Sequence, residues 1–339
     1  MDSINPQFRR FTKAQTVQAE KLLPLLLAGK RAALSQALTL VESKLSAHRQ
    51  EAEKLIHLAM PHTGKALRIG ITGVPGVGKS TFIEAFGEYL TNQGMKLAVL
   101  AIDPSSSRTK GSILGDKTRM ESLSQNEKAF IRPSPSAGSL GGVARKTRES
   151  ILLCEAAGYD IILVETVGVG QSETTVKNMV DFFMLLMLAG AGDELQGIKR
   201  GIMEMADLLV INKADDPQDR QVRLAMGEYK RALHLFPPNP NEWIPEVKSA
   251  SALHNQGIEE VWECIRKFEN QQKLKGYFET NRKNQALTWF QEALGEMLLQ
   301  RFHENERYEK LYEKTKQAVQ QGELEPNAAA QQIIQEVWP

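Results

Sequence analysis

The stretch that decides the fold is Gly73-Val-Pro-Gly-Val-Gly-Lys79-Ser80, which fits the pattern G-x-x-x-x-G-K-[S/T]. It lies between an apolar run, Leu67-Arg-Ile-Gly-Ile-Thr72, and an amphipathic run that begins at Thr81. A strand, a glycine-rich loop and a helix in this order form a cradle for phosphate groups, because the loop N–H groups and the helix N-terminus point at the anion. The sequence therefore predicts that the chain binds a nucleoside triphosphate.

The residue types of this loop suggest a role for each part of it. The glycines let the backbone turn its N–H groups inward. Lys79 would reach the β- and γ-phosphates, and the Ser80 hydroxyl would hold Mg²⁺. An ordinary glycine-rich turn between a strand and a helix is the alternative interpretation. The predicted nucleotide contacts here are Gly73, Val74, Pro75, Gly76, Val77, Gly78, Lys79, Ser80 and Thr81.

Composition limits the classes to which this chain of 339 residues can belong. With 42% hydrophobic and 24% charged residues it has the make-up of a soluble protein with a sizeable core. The net charge of +1 provides no overall field that would attract nucleic acid or a membrane. No apolar run reaches the roughly 20 residues that a membrane span needs, and the N-terminus lacks the apolar core of a signal peptide. We therefore expect a cytoplasmic protein without nucleic-acid or membrane partners.

Hydrophobic patterning predicts an α/β fold in three parts. From residue 65 to residue 270, apolar runs alternate with amphipathic stretches, which is typical of a mostly parallel sheet flanked by helices. Residues before this region and after residue 271 show helical spacing only. We predict an N-terminal helical extension over residues 1–62, a P-loop domain over 63–270 and a C-terminal helical arm over 271–339. The predicted strands are residues 67–72, 97–102, 129–132, 161–165, 208–211 and 246–249.

The arm carries an apolar stripe that needs a partner. Six residues fall close to one face of its first predicted helix. Such a stripe must be buried either on its own body or on a second subunit. We favour a second subunit, because the arm lies outside the sheet domain. The six residues are Trp289, Phe290, Leu294, Met297, Leu298 and Phe302.

Three carboxylates lie at or after the ends of predicted strands. Asp103 begins Asp103-Pro-Ser-Ser-Ser-Arg108, Asp116 lies in a glycine-containing loop, and Glu165 ends an apolar strand three residues before Gly168. An acid that faces a phosphate loop is well placed to hold Mg²⁺, and a following glycine N–H can meet the γ-phosphate. The alternatives are a turn cap for Asp103 and an ordinary connecting loop for Asp116.

Asn212-Lys-Ala-Asp215, at the end of another predicted strand, fits the pattern N-K-x-D. The Asp215 carboxylate can accept two hydrogen bonds from guanine, and adenine has neither donor. Asn212 would brace the phosphate loop, and the stem of Lys213 would cover the base. Ser251-Ala252-Leu253 would complete the pocket through backbone N–H groups. This motif predicts that the nucleotide is GTP, with a chance turn as the alternative.

Six motifs occur in one order along the chain, and several are too long to be chance matches. Together they resemble the MeaB/ArgK-like GTPases, and the resemblance covers nearly the whole chain. The motifs are Gly73-Val-Pro-Gly-Val-Gly-Lys-Ser-Thr81, Asp103-Pro-Ser-Ser, Gly111-Ser-Ile-Leu-Gly-Asp-Lys-Thr-Arg-Met120, Glu165-Thr-Val-Gly-Val-Gly-Gln-Ser-Glu173, Gly192-Asp-Glu-Leu-Gln-Gly-Ile-Lys199 and Asn212-Lys-Ala-Asp215.

The resemblance implies a P-loop NTPase fold of the SRP/MinD-like GTPase class, with Asp103, Asp116 and Glu165 around Mg²⁺. It implies a homodimer that forms partly through the arm, and a further switch over residues 192–199. It also implies a chaperone of adenosylcobalamin-dependent methylmalonyl-CoA mutase that gates cofactor loading and helps to reactivate the enzyme. The alternative is a kinase of a lysine/arginine/ornithine transport system, an older name for relatives.

One departure from Ras-type GTPases bears on hydrolysis. Val169 stands after Gly168, where those enzymes carry a glutamine that orients water, and a valine cannot do so. We therefore expect slow intrinsic hydrolysis that a partner stimulates. The residues do not settle which group orients water. The candidates for catalytic roles are Lys79, Glu165, Gln171 and Lys199.

Overall fold

The computed structural model describes residues 17–43, 45–102, 120–134, 140–166, 172–190, 200–216 and 218–337. Within them, seven parallel strands form one sheet in the order β3-β2-β4-β1-β5-β6-β7. All carboxyl ends therefore lie at one edge, where open α/β sheets bind ligands. The strands are β1 Leu67–Gly73, β2 Leu97–Ile102, β3 Ala129–Ser134, β4 Ile161–Thr166, β5 Phe182–Leu188, β6 Leu208–Asn212 and β7 Glu246–Ser249.

Helices precede, connect and follow the strands. Three lie before β1, as the helical spacing of the N-terminal region predicts, and Gly29 joins the first two with a φ of +69°. No helix in the described ranges is both long and apolar enough to cross a membrane. The helices are α1 Ala19–Leu27, α2 Arg31–Glu42, α3 Ser46–Ala59, α4 Lys79–Asn92, α5 Glu121–Gln125, α6 Leu140–Ala156, α7 Ser172–Lys177, α8 Arg200–Met205, α9 Arg220–Leu233, α10 Ile258–Leu274, α11 Tyr277–His303, α12 Glu306–Gln320 and α13 Pro326–Val337.

Each of the six predicted strand segments lies within an observed strand, but β5 is missing from the prediction. Its sequence, Phe-Phe-Met-Leu-Leu-Met-Leu, is a continuous apolar run with no alternation. The sheet explains this, because β5 pairs with β1 on one side and β6 on the other and is covered on both faces. Met184 and Met187 are fully buried in it and therefore fill the core.

Two apolar layers cover the sheet. On one face, α4 and α10 pack against alternate residues of the strands, with Phe86 between Phe82 at 5.8 Å and Trp262 at 6.2 Å, measured between ring centroids. On the other face, α9 covers β5, β6 and β7 with Val222, Tyr229 and their neighbours. Alternate residues of a strand point to opposite faces, and β5 and β6 contribute to both layers.

The chain divides into two compact units, one ending at Arg282 and the other beginning at Lys283. Arg282 closes the first unit at the amino-terminal edge of its sheet. Its guanidinium donates to both carboxylate oxygens of Asp181 at 2.8 and 2.6 Å, and to the carbonyls of Gly64 at 2.7 Å and Ala66 at 2.6 Å. The fork of an arginine suits such paired bonds. The first turns of α11 are thereby tied to the segments before β1 and β5.

In the second unit, the end of α11 packs against α12 through an aromatic cluster. Phe302 is buried, with ring centroids 5.8 Å from Tyr308 and 6.2 Å from Tyr312. Of the predicted apolar stripe, Trp289 is half-buried and four residues are exposed in this single chain. Those four residues are Phe290, Leu294, Met297 and Leu298, with exposed fractions of 64, 46, 41 and 51%.

Candidate nucleotide-binding site

The loop between β1 and α4 requires glycine where the sequence has it. Gly76 and Gly78 have φ values of +81° and +90°, which other residues rarely adopt. A Cβ at Gly78 would lie 2.9 Å from Nδ2 of Asn212, and one at Gly73 would lie 2.6 Å from the carbonyl oxygen of Leu186. Neighbouring elements therefore approach this loop closely, and α4 begins directly after Gly78. A strand, a wound glycine loop and a helix N-terminus are arranged as an anion cradle.

Lys79 places a cation over the loop. Its Nζ donates to the carbonyls of Gly73 at 2.8 Å and Val74 at 3.3 Å. Burial lowers the pKa of Lys79, while the charges of Glu165 and Glu173 raise it. The ammonium thus lies within the electrostatic reach of the carboxylate that ends β4. This position suits contact with the terminal phosphates.

The Asn212-Lys213 segment at the end of β6 is hydrogen-bonded directly to the phosphate loop. Nδ2 of Asn212 donates to the carbonyl of Val77 at 2.8 Å, and Nζ of Lys213 donates to the carbonyl of Gly76 at 2.9 Å. Lys213 has a φ of +59°, in the left-handed region that residues other than glycine rarely adopt. Oδ1 of Asn212 is buried and accepts no hydrogen bond from the described residues. Two motifs that lie far apart in the sequence therefore form one site.

Ser251 orients the predicted guanine selector. Its Oγ donates to Oδ1 of Asp215 at 2.5 Å and accepts the His254 N–H at 3.2 Å. Two backbone hydrogen bonds with Gln256, at 2.9 and 3.0 Å, close this loop. Gly257 ends the loop with a φ of +74°, and a Cβ there would lie 2.2 Å from the carbonyl oxygen of Ser249. The hydroxyl therefore fixes the Asp215 carboxylate from the side of β7.

The sequence predicted only backbone contacts from Ser251, Ala252 and Leu253. The N–H of Ser251 already donates to Gln256, whereas those of Ala252 and Leu253 have no acceptor among the described residues. Ala252 is nearly buried and Leu253 is exposed. The hydroxyl contact to Asp215 was missed, because serine is common in turns and nothing in the spacing relates residue 251 to residue 215.

Ser80 and Glu165 are the described residues of the predicted metal set. Glu165 is buried next to Ile71 of β1, and the hydroxyl of Thr166 donates to that of Thr72 at 2.7 Å, which joins the ends of β4 and β1. A hydroxyl and a carboxylate beside a phosphate cradle fit Mg²⁺, which takes oxygen ligands and keeps phosphate oxygens and waters. The predicted residues Asp103, Asp116, Gly168, Gln171 and Lys199 lie outside the described residues.

This parallel sheet, with a phosphate loop after its central strand and a selector loop two strands away, is that of a P-loop NTPase. The family model described as "Methylmalonyl Co-A mutase-associated GTPase MeaB" matches residues 34–307, and the chain belongs to this family. It is accordingly a GTPase that binds guanine nucleotide.

Similar proteins cover most of the chain. "GTPase ArgK" of Escherichia coli is 48% identical over 90% of this chain and 92% of its own length. The mouse "Methylmalonic aciduria type A homolog, mitochondrial" is 45% identical over 93% of this chain and 78% of its own length. A solved structure described as "LAO/AO transport system kinase" is 39% identical, with a TM-score of 0.76, over 97% of this chain and 100% of that one.

Replacing the cradle lysine tests the phosphate site. Lys79→Ala should weaken GTP binding about 10- to 100-fold, because charge-assisted hydrogen bonds to the phosphates are lost. Titration calorimetry of purified protein with GTP and magnesium gives the affinities. Lys65→Ala, an exposed lysine before β1, is the matched control and should bind as the parent does. Equal affinities for all three proteins would refute the role of Lys79.

Replacing the selector carboxylate tests base recognition. Asp215→Asn should weaken GTP binding about 10-fold or more, because one carboxylate oxygen becomes an N–H donor that faces the guanine 2-amino donor. Xanthosine triphosphate carries a carbonyl there and should bind the variant more tightly than the parent, because the new N–H can donate to that carbonyl. Competition against a fluorescent GTP analogue measures both nucleotides. Asp216→Asn, at the exposed neighbouring residue, is the control. An unchanged preference in Asp215→Asn would exclude this residue as the selector.

Proposed function

We propose that this protein is a GTP-driven chaperone of adenosylcobalamin-dependent methylmalonyl-CoA mutase. In this proposal it gates cofactor loading into the mutase and helps to protect or reactivate it. The observation that carries the proposal is the match of residues 34–307 to a family described by its association with that mutase. The mouse relative named for methylmalonic aciduria, which aligns over 93% of this chain, supports the same partner.

The proposed action starts from the edge of the sheet that binds the nucleotide. Strands β2, β4 and β5 end at Ile102, Thr166 and Leu188, and each leads at this edge into a segment with a predicted switch motif. In the proposal, these segments order around the γ-phosphate and change when it is lost. A second protein that contacts them would then respond to the state of the nucleotide. The motifs cover residues 111–120, 165–173 and 192–199.

For hydrolysis, we propose that Lys79 and the loop N–H groups hold the phosphates while Mg²⁺ neutralises their charge. Ser80, Asp103, Asp116 and Glu165 are the proposed Mg²⁺ ligands, directly or through water. The water-orienting role falls to Glu165, Gln171 or Lys199. Since Val169 cannot orient water, intrinsic turnover is slow until a partner orders the switches. The slow reaction gives the GTP-bound state a lifetime in which the partner can be engaged.

A second candidate function is phosphoryl transfer to a transport protein. The similarity to the structure described as "LAO/AO transport system kinase" favours it. A kinase must hold an acceptor hydroxyl and a general base in line with the γ-phosphate. Among the described residues of the site, Glu165 is a carboxylate whose charge acts on Lys79. In our proposal Glu165 is a Mg²⁺ ligand. We therefore rank this function below the chaperone.

We further propose that the chain forms a homodimer through the arm. Phe290, Leu294, Met297 and Leu298 of α11 are exposed in the single chain, although apolar side chains of this size favour burial. A second copy would present the same stripe across a two-fold axis, the commonest arrangement in homo-oligomers.

A charge on the stripe tests the dimer. Leu294→Glu should shift the protein from dimer to monomer, because it buries a carboxylate in an apolar contact. Light scattering coupled to gel filtration reports the mass. Gln317→Glu adds the same charge at an exposed residue of α12 and should leave the mass unchanged. A dimer that persists in Leu294→Glu would place the interface elsewhere.

Turnover in the presence of the mutase tests the proposed function. Methylmalonyl-CoA mutase should raise GTP turnover about 10-fold or more, because ordering the switches supplies the missing water orientation. Phosphate release under multiple-turnover conditions measures the rate, and Lys79→Ala should show no stimulation. Equal rates with and without the mutase would contradict the proposal. GTP labelled on its γ-phosphate separates the kinase alternative: label on a transport protein supports the kinase, and free phosphate alone supports the chaperone.

A further inference from the structure

A polar cavity lies at the amino-terminal edge of the sheet, opposite the nucleotide site. Its volume is 310 Å³, and every residue that lines it belongs to the first compact unit. The walls come from the end of α7, from α8, from the starts of β5 and β6, from the loop before β7 and from the first turns of α11. The nucleotide motifs contribute no residue to it. The cavity is therefore separate from the GTP site.

Asp207 is the buried carboxylate of this cavity. It is 2% exposed, and its Oδ2 accepts hydrogen bonds from Nζ of Lys177 at 2.7 Å and from the N–H of Phe183 at 2.8 Å. Its other oxygen, Oδ1, accepts no hydrogen bond from the described residues. Burial raises the pKa of Asp207, whereas the ammonium of Lys177 and the N–H of Phe183 oppose this effect. A ligand in the cavity that donates to Oδ1 would further favour the charged carboxylate.

The charged residues that line the cavity carry more negative than positive charge. Asp181 is already compensated, because it accepts from the guanidinium of Arg282 and from the N–H of Arg68. Lys177 is engaged with Asp207 in an ion pair of 2.7 Å. Glu204 is exposed at the wall and has no ion pair within the described ranges. Two acceptors in the cavity therefore lack a cationic partner among the described residues, namely Oδ1 of Asp207 and the carboxylate of Glu204.

Neutral polar groups complete the wall with further acceptors. Asn239 donates through Nδ2 to the carbonyl of Trp243 at 3.3 Å, which leaves its amide oxygen for another partner. Asn281 and Tyr277 reach the cavity from the start of α11. Burial and the charge of Asp207 raise the pKa of Tyr277, so its hydroxyl stays protonated and neutral. The complementary ligand is one that mainly donates hydrogen bonds.

We propose that this cavity binds a small organic cation that carries a primary ammonium group, held between Asp207 and Glu204. A cavity of 310 Å³ accommodates a short-chain amine or diamine. An ammonium donates three hydrogen bonds and has no acceptor, which matches an acceptor-rich wall. The described residues contain no group of three or more His, Cys, Asp or Glu side chains that could hold a metal ion. An organic cation therefore fits better than a divalent metal.

Putrescine and butanediol form a matched pair of probes, because they share chain length and differ in charge. Titration calorimetry of the full chain saturated with GDP should show putrescine binding at one site with a Kd below about 1 mM. Butanediol should give no binding heat. No heat from putrescine at up to about 10 mM would overturn the proposal. Equal binding of the two probes would overturn it as well.

Variants locate the site. Glu204→Gln keeps the shape and removes a charge at an exposed residue, and it should weaken putrescine binding about 10-fold. Asn281→Leu removes an amide and should weaken it similarly. Asp207→Asn removes the buried charge and should abolish binding if the variant folds. Glu228→Gln, on the exposed side of α9, is the control. Unchanged putrescine affinity in both Glu204→Gln and Asn281→Leu would place the bound amine elsewhere.

Discussion

A buried hydrogen bond from the side-chain amide of Asn212 to the carbonyl of Val77 joins the two halves of the nucleotide site, and an exposed bond from Lys213 to Gly76 lies beside it. Asn212 ends β6, and Val77 lies 135 positions earlier in the loop after β1, with β5 between the two strands. The bond is buried, so breaking it would cost about 1–3 kcal/mol, the penalty for leaving a carbonyl without a donor. It fixes the distance between the loop that faces the base and the loop that faces the phosphates. A nucleotide bridges those loops only if that distance is maintained.

The parallel sheet makes this bond possible. Because every strand runs in the same direction, motifs from distant parts of the chain arrive at one edge. The opposite edge carries a different chemistry, with Asp181 and Asp207 at the starts of β5 and β6. The buried strand β5 runs from the edge with the acidic residues to the edge with the nucleotide motifs.

The sequence predicted the parts of the fold that depend on local chemistry. The phosphate loop and the N-K-x-D segment are recognisable because residue type and spacing are themselves the requirement. Six strands were predicted from apolar runs between helical stretches. The strand β5 was missed because a run of seven apolar residues without alternation suits a buried strand and a buried helix equally. The bond from Ser251 to Asp215 was missed because only the tertiary fold brings these residues together.

Arg282 bears on how the arm can be exchanged between related proteins. Its guanidinium belongs to the first compact unit, although its helix continues into the second. A chimera joined upstream of Tyr277 would take its closing arginine from a foreign sequence, whereas a junction after Arg282 retains the native one. Joining within a continuous helix also demands that the helical phase be kept, at about 100° per residue. The natural place to graft a new assembly module is therefore inside α11, and not in the turn that precedes it.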